Sequence, residues 1–250
     1  LGENLLSVDG YHRGGGGVSG GTIESAFTMK NYKTNYSIGH PFLLNSKDFI
    51  EKQNKEASKD TFKIKYINSI KSWSAPFVMS IANTRVVRRS VELHELNQSS
   101  YGSDFTYKEF MYVKKYSSAL MVSIGLAILG LMIVSPISSL FRKLFTKPGN
   151  GPDKKTRDNG WFESIFIGKN TNNEFYKLRI YGDGDPGYKT TAKFICESAL
   201  CLVKSDGYLE NTNKGGVLTT ATGLGDHLIK RLKNADILFD GPEKIAKTIT

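Results

Sequence analysis

Charged residues are absent from Tyr116 to Phe141, and from Ala119 to Ile137 the strongest polar groups are Ser123 and Ser135. As a helix, Ala119 to Phe141 would be about 35 Å long at roughly 1.5 Å per residue, enough for a hydrocarbon layer of about 30 Å. The run predicts membrane contact or, failing that, a fully buried core helix. The membrane-facing candidates are Ala119, Leu120, Met121, Val122, Ile124, Leu126, Ile128, Leu129, Leu131, Met132, Ile133, Val134, Ile137, Leu140 and Phe141. Pro136, Gly125 and Gly130 interrupt the run, so a hairpin or an in-plane insertion stays open beside a full span.

Elsewhere the pattern is that of a folded domain. Residues Leu1 to Ser19 are Gly-rich and read as a loop with a short strand at Leu5 to Val8. Ser19 then caps a helix whose face is Ile23, Ala26 and Phe27. A short helix is expected near Ser46 to Ala57, and the alternation of Phe62 to Tyr66 predicts a half-buried strand. Pro76 suits a first helical turn, which predicts a helix from Ala75 to about Leu93. Phe105, Tyr107 and Glu109 read as a strand. Pro148 to Gly160 is linker-like. Trp161–Ile167 and Phe175–Tyr181, joined by an Asn-rich turn, form the clearest hairpin. Asp185-Pro186 opens a helix carrying Tyr188, Ala192, Ile195, Ala199 and Leu202. Thr219 or Thr220 starts another with Leu224, Leu228, Ile229 and Leu232 inside, and Ile237 to Phe239 is a last strand.

This order predicts an α+β fold: a mixed sheet with helices on one side, plus an inserted hydrophobic membrane-interacting helix or hairpin. The segments 1–116 and 161–250 would be two parts of one domain, separated by the hydrophobic segment 117–141 and a basic linker 142–160. If strands on both sides share a sheet, the domain cannot sit on opposite faces of a bilayer, which favours an element that enters and returns. The formal net charge is +10. Much of the excess flanks the uncharged run: Lys114 and Lys115 before it, Arg142, Lys143, Lys147, Lys154, Lys155 and Arg157 after it. Anionic headgroups would attract this cluster, and the positive-inside rule would place the C-terminal flank in the cytosol. Two cysteines in 250 residues exclude a disulfide framework.

Local motifs carry little chemistry. Gly15-x-Gly17-x-x-Gly20 matches the dinucleotide pattern, but the preceding residues do not read as the buried strand that this mechanism needs. Gly182 to Gly187 resembles a calcium loop and reads better as a turn and helix cap, since the twelfth position from Asp183 is Phe194. Arg85, with Arg88 or Arg89, shares a helical face that could hold a carboxylate or phosphate; the other reading is a solvated group, or pairing with Glu92 and Glu95. The four histidines show no metal spacing, and Cys196 and Cys201 read as small packing residues. No basic and aromatic pattern for nucleic acid is present.

The runs Val18 to Phe27, Ser74 to Ser90, Tyr101 to Met111, Gly184 to Leu202 and Gly215 to Leu232 resemble the saccharopine dehydrogenase-like oxidoreductases. Within them the chain is similar to the membrane- or lipid-droplet-associated, trans-acting enoyl reductase-like branch. The resemblance implies an NAD(P)-dependent reductase acting on a lipid-related substrate. It also implies a Rossmann cofactor domain that would lie before Leu1, so this chain is expected to be the substrate-side portion, inactive alone and with no cofactor site of its own. Substrate contacts would fall to Ser19, Gly20, Gly21 and Thr22 and to Arg85 and Arg88. The expected partner is a membrane or lipid-droplet surface, at a droplet, the endoplasmic reticulum or a mitochondrial membrane; a homodimer is open, and nucleic acid is not expected. The competing expectation is a truncated, non-catalytic membrane-binding or dimerisation module.

Overall fold

The computed structural model describes residues 4–17, 20–29, 39–96, 105–142, 149–204 and 216–246. Its strands are β1 (Leu5–Gly15), β2 (Tyr66–Ile67), β3 (Ser72–Pro76), β4 (Thr106–Val113), β5 (Trp161–Asn170), β6 (Phe175–Asp183) and β7 (Leu238–Ile245). Its helices are α1 (Gly20–Met29), α2 (Lys47–Lys52), α3 (Ser80–Leu96), α4 (Tyr116–Val134), α5 (Ser138–Arg142), α6 (Lys154–Asp158), α7 (Lys189–Lys204) and α8 (Thr220–Asn234). All seven strands join one sheet in the order β2-β3-β4-β1-β5-β6-β7. Only β1 and β4 run parallel; every other pair is antiparallel. The fold is therefore α+β with a mixed sheet and one long apolar helix.

The largest departure from the sequence pattern is β1. In place of a short strand within a loop, Leu5–Gly15 is an eleven-residue strand at the centre of the sheet. Glycine makes this strand hard to read and also makes it fit. A Cβ on Gly10 would lie 2.9 Å from His12 Nε2, and one on Gly15 would lie 2.9 Å from Trp161 Nε1. Bare backbone lets aromatic neighbours close over β1, so its burial leaves no hydrophobic alternation behind.

Other boundaries move for identifiable reasons. The strand expected at Phe62 to Tyr66 is reduced to Tyr66–Ile67. Pro76 does not begin a helix: Ser72–Pro76 is a strand paired with β4, and α3 starts four residues later. Because β2 pairs only with Ser72 and Trp73, Pro76 occupies an edge position that tolerates a missing N–H. The helix capped by Ser46 stops at Lys52, where Gln53 turns extended. The linker-like stretch holds α6, capped by Asp153. The hairpin β5–β6 forms as the pattern implies, and Thr219 caps α8 through a reciprocal pair with Thr222. The cap expected for Ser19 lies outside the described residues.

One face of the sheet carries α3, α7 and α8. Asn83 of α3 reaches Glu109 of β4, Phe194 of α7 meets Phe162 of β5, and Ser90 of α3 bonds to the α8 cap Thr219. On the other face Tyr11, Phe110, Tyr112, Ile165 and Ile67 form an apolar cluster, with Tyr11 stacked on Phe110. The apolar row of α7 turns outward. Ile195 is 68% exposed, while Thr190 and Cys201 are the buried residues of that helix. Of the two cysteines, Cys201 packs inside and Cys196 is exposed.

The uncharged run is α4, then a break, then α5. The helix ends at Val134, with Ser135 as its cap and Pro136, which has no N–H to continue it, immediately after. In α4 only Ala119 is buried. That removes the reading of a fully buried core helix. By length and composition α4 is able to cross a membrane. Its base is fixed to the sheet by Tyr116, whose ring meets Trp73 edge-on at 5.0 Å. Arg142, at the end of α5, pairs with Glu24 of α1 at 2.6 Å. The strand before α4 and the strand after α5 both flank β1, and Met111 and Trp161 pair with His12 and Gly15 near the same end of it. The uncharged run thus leaves from one end of the central strands, and the chain re-enters the sheet at that same end.

Candidate ligand site on the helical face of the sheet

His12, Glu109 and Ser164 lie on three adjacent strands, and their side chains share the helical face. His12 Nδ1 is 2.9 Å from Ser164 Oγ, and its ring stacks on Phe77 with centroids 4.9 Å apart. Its Nε2 has no hydrogen-bond partner and faces Glu109 Oε1 at 3.8 Å, beyond hydrogen-bond range. Tyr107 donates its hydroxyl to Glu109 Oε1 at 2.7 Å, and Asn83 donates to Oε2 at 2.9 Å. Burial pushes the His12 imidazole down to about 4 and shifts the Glu109 carboxyl up, the latter opposed by the Tyr107 and Asn83 hydrogen bonds.

This is a Ser-His-Glu sequence of contacts, yet its chemistry differs from that of a nucleophile triad. An imidazole with a pKa near 4 is a poor proton acceptor at neutral pH. Its orienting carboxyl is also too far for a bond. The arrangement gives a neutral pole whose serine can either donate or accept, according to which ring nitrogen holds the proton.

That serine opens on a cavity of about 740 Å³. Phe162, Phe166 and Ile180 form its floor on the sheet, Phe194 comes from α7, and Leu224 and Leu228 of α8 face them. Helix α8 is broken at Gly225 (φ 47°, ψ −134°), so the roof changes direction over the cavity. A cavity of this size falls within the roughly 300–1,000 Å³ of small-molecule sites.

The residues singled out in the sequence lie elsewhere. Gly20, Gly21 and Thr22 begin α1, away from these lining residues, and Ser19 is outside the described set. Arg85 and Arg88 are brought together on α3, but protein acceptors engage them. Arg85 is 2% exposed and donates to both oxygens of Asp60, at 2.9 and 2.7 Å, to Thr84 and to the Gly39 carbonyl. Arg88 donates to the carbonyls of Pro41, Ser58 and Tyr107. A substrate would reach them only by displacing segment 39–60. Arg89 pairs with Glu92 at 2.7 Å. No sequence signal pointed to His12, Glu109 or Ser164: they sit on three strands and acquire meaning only when those strands align.

The glycine pattern needs a correction. A strand does precede Gly15 and a helix does begin at Gly20, contrary to the reading of those residues as loop. Val18 and Ser19, inside the motif, lie outside the described residues. A Cβ on Gly16 would meet Asp185 Cβ at 2.7 Å, and one on Gly17 would meet Pro152 Cβ at 2.5 Å, so both glycines serve close packing against protein, beside a carboxylate that disfavours a phosphate. Asp185 itself accepts from the amides of Tyr188 (3.1 Å) and Lys189 (3.0 Å), the capping role expected of it rather than calcium ligation.

One acid dependence follows. The unfolded chain protonates His12 near 6.5, whereas the folded chain resists down to about 4. A depressed folded value means that stability is fully present above 6.5 and is lost as pH falls toward 4, by at most about 3 kcal/mol. Glu163, held near 2 by Tyr112, Arg179 and Arg13 against the opposing cost of burial, extends the loss below 4.5. Urea unfolding of His12→Gln should show a flatter stability profile between about pH 6.5 and 4.5 than the parent; an unchanged slope would refute the assignment.

The class is an α+β protein: a mixed sheet with a helix-roofed cavity on one face. Over 173 residues, 66% of this chain, it is 35% identical to a candidate trans-acting enoyl reductase of Mycobacterium tuberculosis strain H37Rv. It is 31% identical over 175 residues to a trans-acting enoyl reductase of Mycobacterium bovis BCG, and 30% over 174 residues to one of Mycobacterium ulcerans. The chain is thus homologous, at moderate identity, to mycobacterial trans-acting enoyl reductases, and the matched region spans 40% of those relatives' length. No protein-family model and no solved structure matches it.

Proposed function

We propose that this chain is the substrate-side portion of a membrane- or lipid-droplet-associated, NAD(P)-dependent oxidoreductase of the saccharopine dehydrogenase-like type, acting on a lipid-related substrate. The observation that carries the reading is the 35% identity over 173 residues to a candidate trans-acting enoyl reductase. The exposed apolar helix α4 supports the membrane part. Because the chain leaves and rejoins the sheet at one end of its central strands, α4 and α5 together enter the lipid and return, and the domain stays on one side. The basic residues flanking the run then face anionic headgroups.

The described glycines Gly15, Gly16 and Gly17 pack against Trp161, Asp185 and Pro152, and the Asp185 carboxylate beside them does not favour a nicotinamide dinucleotide there. What the described residues offer is an open, largely apolar cavity with Ser164 at its floor and His12 behind it, suited to holding an apolar substrate. The exposed apolar helix α4 equally fits a second reading, a non-catalytic membrane-binding module. Assaying the natural polypeptide that contains this chain, in phospholipid vesicles, separates the two. Consumption of NADPH or NADH that depends on an added medium-chain enoyl thioester is expected. Failure of both nucleotides with enoyl, keto and imine substrates would overturn the oxidoreductase reading and leave the module.

A further inference from the structure

We infer that the cavity between α8 and the sheet is a binding site for an uncharged amphiphile, a single apolar chain bearing one oxygen function, with that oxygen against Ser164. The inference rests on the cavity alone and does not depend on the reductase reading.

The chain portion of the ligand is specified by the walls. Phe162, Phe166, Phe194, Leu224 and Leu228 present side chains that gain contact and lose water when an apolar group enters. The oxygen is specified by Ser164, which is on the floor of the cavity and has His12 at 2.9 Å behind it. A ligand hydroxyl could donate to Ser164 Oγ while Ser164 donates to Nδ1. A ligand carbonyl could accept from Ser164 once the imidazole proton is on Nδ1. Either way the pair stays neutral.

Charge is excluded at that end by what lies beyond the serine. An anionic head would find the buried Glu109 carboxyl behind His12, while the nearby Arg88 guanidinium is already engaged by the carbonyls of Pro41, Ser58 and Tyr107. A cationic head would exchange its hydration for neutral partners, since His12 stands between it and Glu109. The charged lining groups Asp226 and Lys230 are on the exposed side of α8, at the mouth. Stretching from an apolar floor to a charged rim, the cavity suits a ligand that enters polar end first and leaves its chain along the phenylalanines. The break at Gly225 lies in the roof of the same cavity, just after the capped and buried first turn of α8.

The test uses the full chain and three probes of one length: dodecanol, dodecane and dodecanoate, titrated by calorimetry below their aggregation limits. Dodecanol should bind most tightly, and Ser164→Ala should weaken it about five- to tenfold, toward the affinity of dodecane. Ile180→Trp, which fills the floor with a residue that suits a strand, should abolish binding of all three. Equal or tighter binding of dodecanoate would overturn the charge argument. Dodecanol binding that survives Ile180→Trp would place the probe on the exposed face of α4 and overturn the site. Circular dichroism of each variant checks that the sheet is retained. Absence of dodecanol binding by the parent protein, with NADPH consumption on a short enoyl thioester intact, would refute this site and leave the oxidoreductase reading standing.

Discussion

Aspartate at Ile124, Ile128 and Leu131 should abolish flotation of this protein with anionic liposomes while leaving the fold intact. The three side chains are 51%, 52% and 68% exposed on α4, so the substitutions remove no core contact. In water an added carboxylate at such positions costs little. In a bilayer each charged residue near the middle of a helix costs about 3 kcal/mol, and three together outweigh any interfacial attraction of the basic flanks. The effect expected is total loss, not a shift. Substituting Ala119 would not give a clean answer, because Ala119 is the buried residue at the root of the helix. Unaltered flotation of the triple variant would show that α4 does not meet lipid, and its apolar surface would then need a protein cover. Flotation lost only at high salt in the parent protein would instead assign binding to the basic flanks, since headgroup attraction is screened and burial in hydrocarbon is not.

What could be read from the sequence divides along a physical line. Elements whose signal is local were legible: the β5–β6 hairpin with its Asn-rich turn, the Thr219 cap, Asp185 ahead of α7, and the uncharged run of α4. Elements whose signal is tertiary were not. The residues of β1 look like loop because Gly10, Gly14 and Gly15 carry no side chain to alternate, yet the aromatic groups of β4 and β5 require that absence. Pro76 was read by its helix-starting preference and in fact ends β3 beyond the reach of β2, which the shortness of β2 permits. The candidate site is the extreme case. His12, Glu109 and Ser164 have ordinary neighbours in sequence, and the pairings of β1 with β4 and with β5 bring them together. The arginines failed as a guide for the opposite reason: a basic cluster on one helical face is visible in sequence, but the carbonyls and the carboxylate that engage it are not.

Replacing Arg88 with alanine should destabilise the protein by about 3–5 kcal/mol, a large part of the ~5–15 kcal/mol that holds a typical domain. The guanidinium bridges three parts of the chain: Pro41 O at 2.7 Å, Ser58 O at 2.7 Å and Tyr107 O at 3.2 Å, with its plane near the Phe42 ring. Burial, together with Arg85 nearby, pushes its pKa down to about 10, still above neutrality, so it remains a cation and its hydrogen bonds are charge-assisted. Alanine would leave three buried carbonyls without this donor and a void beside Phe42, and segment 39–60 would lose its tie to α3 and β4. Lysine restores the charge but not the planar fork, so Arg88→Lys should recover less than half of the loss. Urea unfolding of both variants measures this directly. A substrate-anchoring arginine gives the reverse pattern, a variant that unfolds with the parent and binds ligand poorly. If Arg88→Ala unfolds within about 1 kcal/mol of the parent, the bridging role fails and the arginine pair returns as a candidate anion site.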